Sequence, residues 1–243
     1  MAIAVTAISA VASTVNSATY AINSFTPVAN RLYILAIESS HAANAVDPTI
    51  TPSNTGLNYV KIVARPWSTS SANQSTLSIW RAMKPSGLTT GVDTIDFATI
   101  VQTGCTYSLI ELTGIDTSGT DGSGAIVQSN SAFDDTTTAT ALNVTLAALA
   151  NANNIGYSAA GVNANITQTP GHSETKIDDL GHTLPSYALQ TQWLINTATL
   201  GTTFVAGQNS GIAAIEIAAA PVAGGIRPSV RQSLQAVQRA SVW

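Results

Sequence analysis

Short runs of β-branched, aliphatic and aromatic residues recur along the whole chain, separated by clusters of Gly, Pro, Asn, Asp and Ser, the pattern of many short strands joined by turns. Such runs lie at 19–25, 31–39, 59–65, 75–83, 94–100, 107–113, 125–129, 141–147, 155–162, 188–196, 202–206 and 211–218, which predicts about a dozen strands. Their patterns fall into two kinds. Leu142, Val144 and Leu146 alternate with Asn143 and Thr145, as in a strand with one wet face, whereas 32–37 is apolar throughout and must be covered on both faces. An all-β, two-sheet antiparallel sandwich of jelly-roll-like type over residues 1–218 satisfies both, with a few strands covered further by loops or a neighbouring subunit.

Two segments carry helical signals. Residues 140–150 are rich in Ala and Leu, but their alternation favours a strand. At the C-terminal end, Ile226, Val230, Leu234 and Val237 are spaced four, four and three apart and share one helical face, and Pro228 suits a first helical turn. The small-residue stretch 219–225 reads as a linker, so 226–243 is expected to be an amphipathic tail helix. Its basic side chains are Arg227, Arg231 and Arg239, and it ends on Trp243. These apolar and basic residues are the expected partner-docking surface, with folding back on the sandwich as the competing reading.

Charge sharpens this picture. Only 9% of the 243 residues are charged, against about 25% in an ordinary globular protein, so the surface is built from Ser, Thr, Asn, Gln and Gly. Residues 1–216 hold all thirteen acids and six bases, a net of −7, and the last 27 residues carry +3. An acidic body argues against gripping a nucleic-acid backbone across a face. Residues 1–15 are apolar but lack a basic leader and are interrupted by Thr6, Ser9, Ser13 and Thr14, which makes a poor signal peptide and a worse membrane span. Three Asn-x-Ser/Thr triplets, at Asn73, Asn143 and Asn165, are what chance gives in a chain of this composition. The single cysteine, Cys105, excludes an intrachain disulfide and reads as core.

No nucleophile elbow, phosphate loop, dinucleotide fingerprint or His-Glu-x-x-His helix occurs, so no enzyme activity and no cofactor are expected. The densest cluster of possible ligands, His172, Glu174, Asp178, Asp179 and His182, opens with Pro170-Gly171, contains Gly181 and reads as a solvated polar loop; elemental analysis for bound metal tests the alternative. Asp116 to Gly124 is oxygen-rich but lacks the sixth-position glycine and closing glutamate of an EF-hand, so it reads as a connection between strands, as Asp134-Asp135 reads as a turn. Trp80 and Trp193 lie in apolar runs and are expected in the core. Trp67, after Pro66 at a strand end, stands where a ring could be exposed and is the residue on which a carbohydrate- or receptor-binding alternative rests.

Four segments, Ser78-Ile-Trp-Arg-Ala-Met83, Glu111 to Gly119, Asn151-Ala-Asn-Asn-Ile155 and Gly211 to Ile217, together resemble the β-sandwich structural proteins of tailed bacteriophages over roughly residues 20–218. The resemblance implies a virion component, a head decoration, neck, tail or fibre-associated protein assembled in the host cytoplasm. Its partners are then copies of itself and other virion proteins, with a surface glycan as a further candidate and neither membrane nor nucleic acid among them. Small polar side chains suit packing against neighbours, because Lys and Glu lose up to ~2 kcal/mol each of side-chain entropy when immobilised.

Overall fold

The computed structural model describes residues 2–42, 46–52, 54–68 and 74–221, which form sixteen strands in four antiparallel sheets. The strands are β1 (Ala4–Ser13), β2 (Thr19–Ala21), β3 (Leu32–His41), β4 (Thr49–Pro52), β5 (Val60–Trp67), β6 (Gln74–Ala82), β7 (Asp93–Asp96) and β8 (Gly104–Thr113). After one 3-10 turn at Ser123–Ala125 come β9 (Ile126–Asp134), β10 (Ala141–Thr145), β11 (Ile155–Val162), β12 (Thr169–Pro170), β13 (Thr175–Thr183), β14 (Ser186–Ile195), β15 (Thr199–Thr203) and β16 (Ser210–Ile217). The expected dozen strands and two sheets are thus corrected to sixteen and four. The expected tail helix, with every docking residue from Ile226 to Trp243, lies outside the described residues.

Two five-stranded sheets, ordered β1-β8-β3-β6-β5 and β13-β14-β11-β16-β9, pack face to face, and each is covered on its outer side by a three-stranded sheet, β2-β7-β4 or β10-β15-β12. The central core lies between the large sheets and includes Ile34, Ala36, Ile110 and Leu112 facing Tyr157, Ala159, Ala213 and Ile215. The opposite face of β3 and β8 sends Tyr33, Leu35, Ile37, Tyr107 and Leu109 under the first cover sheet, to Tyr20, Ile50 and Phe97. This explains the unbroken apolar run at 32–37: both faces are dry. The cover comes from the chain's own short strands, where loops or a neighbour were expected.

Adding eight to a strand number converts the first half of the molecule into the second. Pairs β1-β8, β2-β7, β3-β6, β3-β8, β4-β7 and β5-β6 become β9-β16, β10-β15, β11-β14, β11-β16, β12-β15 and β13-β14, all of them present. The register repeats as well. Leu32 pairs with Leu112 and Tyr33 with Glu111, as Ile155 pairs with Ile217 and Gly156 with Glu216. In each half the edge pairing β5-β6 or β13-β14 of the large sheet is bulged at the same place, with Lys61-Ile62-Val63 opposite Trp80-Ile79 and Lys176-Ile177-Asp178 opposite Gln192-Thr191. Phe97 donates its amide to Ala18 and Phe204 to Thr140, again at equivalent positions.

The two eight-stranded units are related by an approximate two-fold axis. β1 lies over β13 as β9 lies over β5, and β8 meets β13 as β16 meets β5. On leaving their units the two chains meet as well: Ile115 pairs antiparallel with Ala219, Asp116 donates to Ala218 and Ala220 to Gly114. Since the ends of β8 and β16 lie together, the axis runs along the strands. The interface between the halves is therefore self-complementary in the manner of a two-fold dimer, within one polypeptide.

Candidate functional site at the inter-sheet polar end

The core between the large sheets is apolar over most of its length and becomes polar at the end where β3 and β11 finish. Alternation along β3 turns Ile34, Ala36 and then Glu38 toward the opposite sheet, and Glu38 is fully buried there. Facing it across the gap, β13 presents His182, buried to 3% exposure, with Nε2 at 3.6 Å from Glu38 Oε2. His182 Nδ1–H donates to the Pro185 carbonyl at 2.7 Å, which fixes the tautomer and leaves the Nε2 lone pair toward the glutamate. The ring also requires a glycine opposite: a Cβ on Gly104 would come within 2.7 Å of His182 Cε1.

Burial dominates the electrostatics. It pushes the Glu38 carboxyl up to about 8, a shift that the neighbouring Ser75 hydroxyl partly opposes, and it lowers His182 from its ordinary value. Both shifts favour the neutral forms. Neither carboxyl oxygen makes a hydrogen bond of normal geometry with any described residue. Trp67, Tyr187 and Ser75 complete the surroundings, Trp67 and Tyr187 packing edge-on at 5.6 Å. Beyond them Asp135 accepts the Ser68 amide at 2.6 Å, and Asn163 and Asn209 both reach the Ser68 hydroxyl.

The trio Ser75, His182 and Glu38 has the composition of a hydrolytic triad but not its wiring. A relay needs one imidazole nitrogen on the nucleophile and the other on the carboxylate, and here Nδ1 is held by a backbone carbonyl. The arrangement buries two titratable groups between the sheets, and what it can do is make their association depend on pH.

The other candidates fall apart or change character. The segment expected as a solvated loop, 172–182, is mostly strand β13, and its groups disperse. His172 pairs with Asn143, Glu174 accepts the Gly201 amide, Asp178 accepts the Ser108 hydroxyl at 2.6 Å, and Asp179 takes Lys176. Asp116 caps Ser118, and Asp121 accepts Asn58, as a strand connection requires. Among the described residues no group of three or more His, Cys, Asp or Glu converges as a metal site. Cys105 and Trp80 are core as expected, and Trp193 is half-buried at the core's margin.

Trp67 corrects the expectation of an exposed ring. It is fully buried between the sheets, because Gly161 and Gly211 leave room for it; a Cβ at either would lie 2.7 or 2.6 Å from its atoms. The Glu38–His182 pair was not singled out from the sequence. The one available signal was a lone glutamate closing the run 32–37, a charge where alternation demands a core residue. Among the described residues no helix is long and apolar enough to cross a membrane. No family model, curated protein or solved structure matches the chain.

Proposed function

We propose that the protein is a structural subunit of a virus particle, a capsid decoration or tail or neck component, that associates with copies of itself and docks on another virion protein through residues 226–243. The observation that carries this reading is the doubled unit. Pairing strand one with eight, two with seven and three with six is the order of a jelly roll, an eight-stranded ribbon rolled on itself, here with its fifth strand moved onto the larger sheet. Jelly rolls form viral shells and lectins, and strand order alone does not choose between them. The scarcity of charge and the Ser/Thr/Asn surface favour the shell, since such side chains lose little entropy on packing against neighbours.

The carbohydrate-binding alternative shares the strand order but loses the residue proposed for it, because Trp67 is buried. Light scattering and electron microscopy of the full chain, and of a chain ending at Gly224, test the assembly reading. The full chain should form closed multimers, and truncation should remove docking on partner particles while leaving the strands folded. A full chain that stays monomeric at every concentration overturns it.

A further inference from the structure

We infer that the outer edge of β1 is an assembly edge that takes β1 of a second copy, antiparallel, joining two five-stranded sheets into one ten-stranded sheet. This rests on the assembly reading and names the surface that performs it. A strand at a sheet edge presents unpaired N–H and C=O groups, and proteins guard such edges with charges, proline or covering segments. Three of the four edges of the large sheets are guarded. β5 carries Lys61, Arg65 and Pro66, and β13 carries Lys176, Asp178 and Asp179.

β9, the counterpart of β1, ends on Asp134, and Arg65 stacks on its Phe133 at 3.9 Å. Its gap to the cover sheet is also bridged. Gln128 accepts from the Ala147 amide and donates to the Ala147 carbonyl, while Asn130 donates to the Thr145 carbonyl at 2.8 Å.

β1 is bulged between Ala7 and Ser9 but has no charged or proline guard. Its ten residues, Ala-Val-Thr-Ala-Ile-Ser-Ala-Val-Ala-Ser, include no charge and no proline, and Ala4, Thr6 and Ala7 are exposed. The bridge of the second half has an equivalent here, since Ser9 shares a hydrogen bond with the Tyr107 hydroxyl, which accepts the Asn23 amide at 2.9 Å; further along β1, at Val11 and Ser13, lies a cleft of about 130 Å³. Val11 and Tyr107 form its apolar floor, and Ala21 of β2 lines its rim. The pseudo-symmetry thus supplies an internal comparison: both units tie this edge to the segment beneath it, but β9 ends on Asp134 with Arg65 on its Phe133, whereas β1 carries no charge and, among the described residues, no covering segment.

An incoming strand gains backbone hydrogen bonds from the edge and seats an aliphatic side chain in the cleft, the mode of β-strand addition. Self-pairing lays a strand beside its own sequence, which penalises any charge it carries, and β1 is the one large-sheet edge without charge.

Light scattering and sedimentation of the full-length chain test this with three variants. Thr6→Lys places a charge on the edge, Ala21→Phe fills the cleft, and Ser129→Lys places the same charge on exposed β9. Wild type and Ser129→Lys should give assemblies twice the mass of those given by Thr6→Lys and Ala21→Phe, with circular dichroism and melting unchanged in all four. Assemblies of wild-type mass in folded Thr6→Lys overturn the edge and leave the assembly reading standing. A wild-type chain that is monomeric at every concentration overturns both.

Discussion

The two halves of this molecule place the same eight-strand plan on different chemistry, and the contrast is sharpest at one seat. Aligned on their bulges, Trp67 of β5 and His182 of β13 are equivalent, and so are Glu38 of β3 and Gly161 of β11. One seat holds an indole over glycine, and the seat across the pseudo-axis holds an imidazole over a glutamate. The outer layers differ in the same sense. Under the first cover sheet Tyr33, Leu35, Ile37 and Trp80 make an aromatic and aliphatic core, whereas the equivalent positions of the second are Gly156, Ser158, Ala160 and Gln192.

There a polar chain replaces the apolar contacts. Thr202 donates to Gln190, Gln190 to Gln192, and Gln192 to the Gly201 carbonyl. A strand pattern therefore tolerates either filling where buried amides and hydroxyls bond to one another, as Thr202, Gln190 and Gln192 do.

The largest effect is expected at the apolar seat. Trp67→Ala empties a fully buried position between the sheets and should destabilise the protein by ~3–5 kcal/mol in urea unfolding. At the equivalent polar seat His182→Ala removes a smaller ring and one hydrogen bond, and a loss of ~1–3 kcal/mol is expected. Equal losses would mean that the two seats share the load evenly.

The polar seat alone should respond to pH. With its folded-state value near 8, above the ordinary 4.5, Glu38 holds its proton more tightly in the folded chain than in the unfolded one. Its contribution is complete at low pH and is lost as pH rises through about 8. His182 is shifted downward and acts with the opposite sign, but only below its ordinary 6.5. Between pH 6.5 and 8 the glutamate therefore acts by itself, and stability should fall by up to ~2 kcal/mol across that window, about 1.4 kcal/mol for each pH unit. Denaturant midpoints of wild type and Glu38→Gln across this range provide the check: a slope in the variant equal to that of wild type would remove Glu38 as its source.

The smallest effect, at Arg31, is expected within a comparison of two carboxylates that the halves share. Glu111 accepts from Arg31 and Tyr33, and Glu216 from Gln128, Asn154 and the Ala150 amide; Arg31 and Asn154 both sit one residue before the pairing that begins the central strand. Arg31 is about two-fifths exposed, so Arg31→Ala should cost less than ~1 kcal/mol, whereas Asn154→Ala at a buried site should cost ~1.5–3 kcal/mol. Thermal melts of the two variants rank them, and the reverse order would show that solvent reaches Glu216.

Several strands could be read directly from the chain. β11 was legible to the residue and β3 nearly so, because a strand dry on both faces leaves an unbroken apolar run. β13 was not, since Lys176, Asp178 and Asp179 suggest solvent; as a sheet edge it places those charges on Gln168, Ser108 and one another. β1 was overlooked for the opposite reason, its Ala-rich run inviting comparison with a leader sequence.

The duplication was hidden because equivalent positions need only match in burial and pairing. Glu111 and Glu216, Lys61-Ile62 and Lys176-Ile177, and Phe97 and Phe204 are among the few identities that survive it. Trp67 was misplaced because the space it fills belongs to two glycines more than 90 residues away in the chain.

The meeting of chains beside the pseudo-axis carries a topological consequence. Ala220 donates to Gly114, and the carbonyl of Ala2 lies against that same glycine, whose φ of +72 takes the chain around the corner. Residues 2 and 220 are therefore neighbours, and the polypeptide between them is very nearly a closed ring with the 114–125 connection as its opposite crossing. A circular permutant cut within the exposed stretch 117–120 and spliced from 220 to 2 would retain all twelve strand pairings while exchanging which unit is synthesised first.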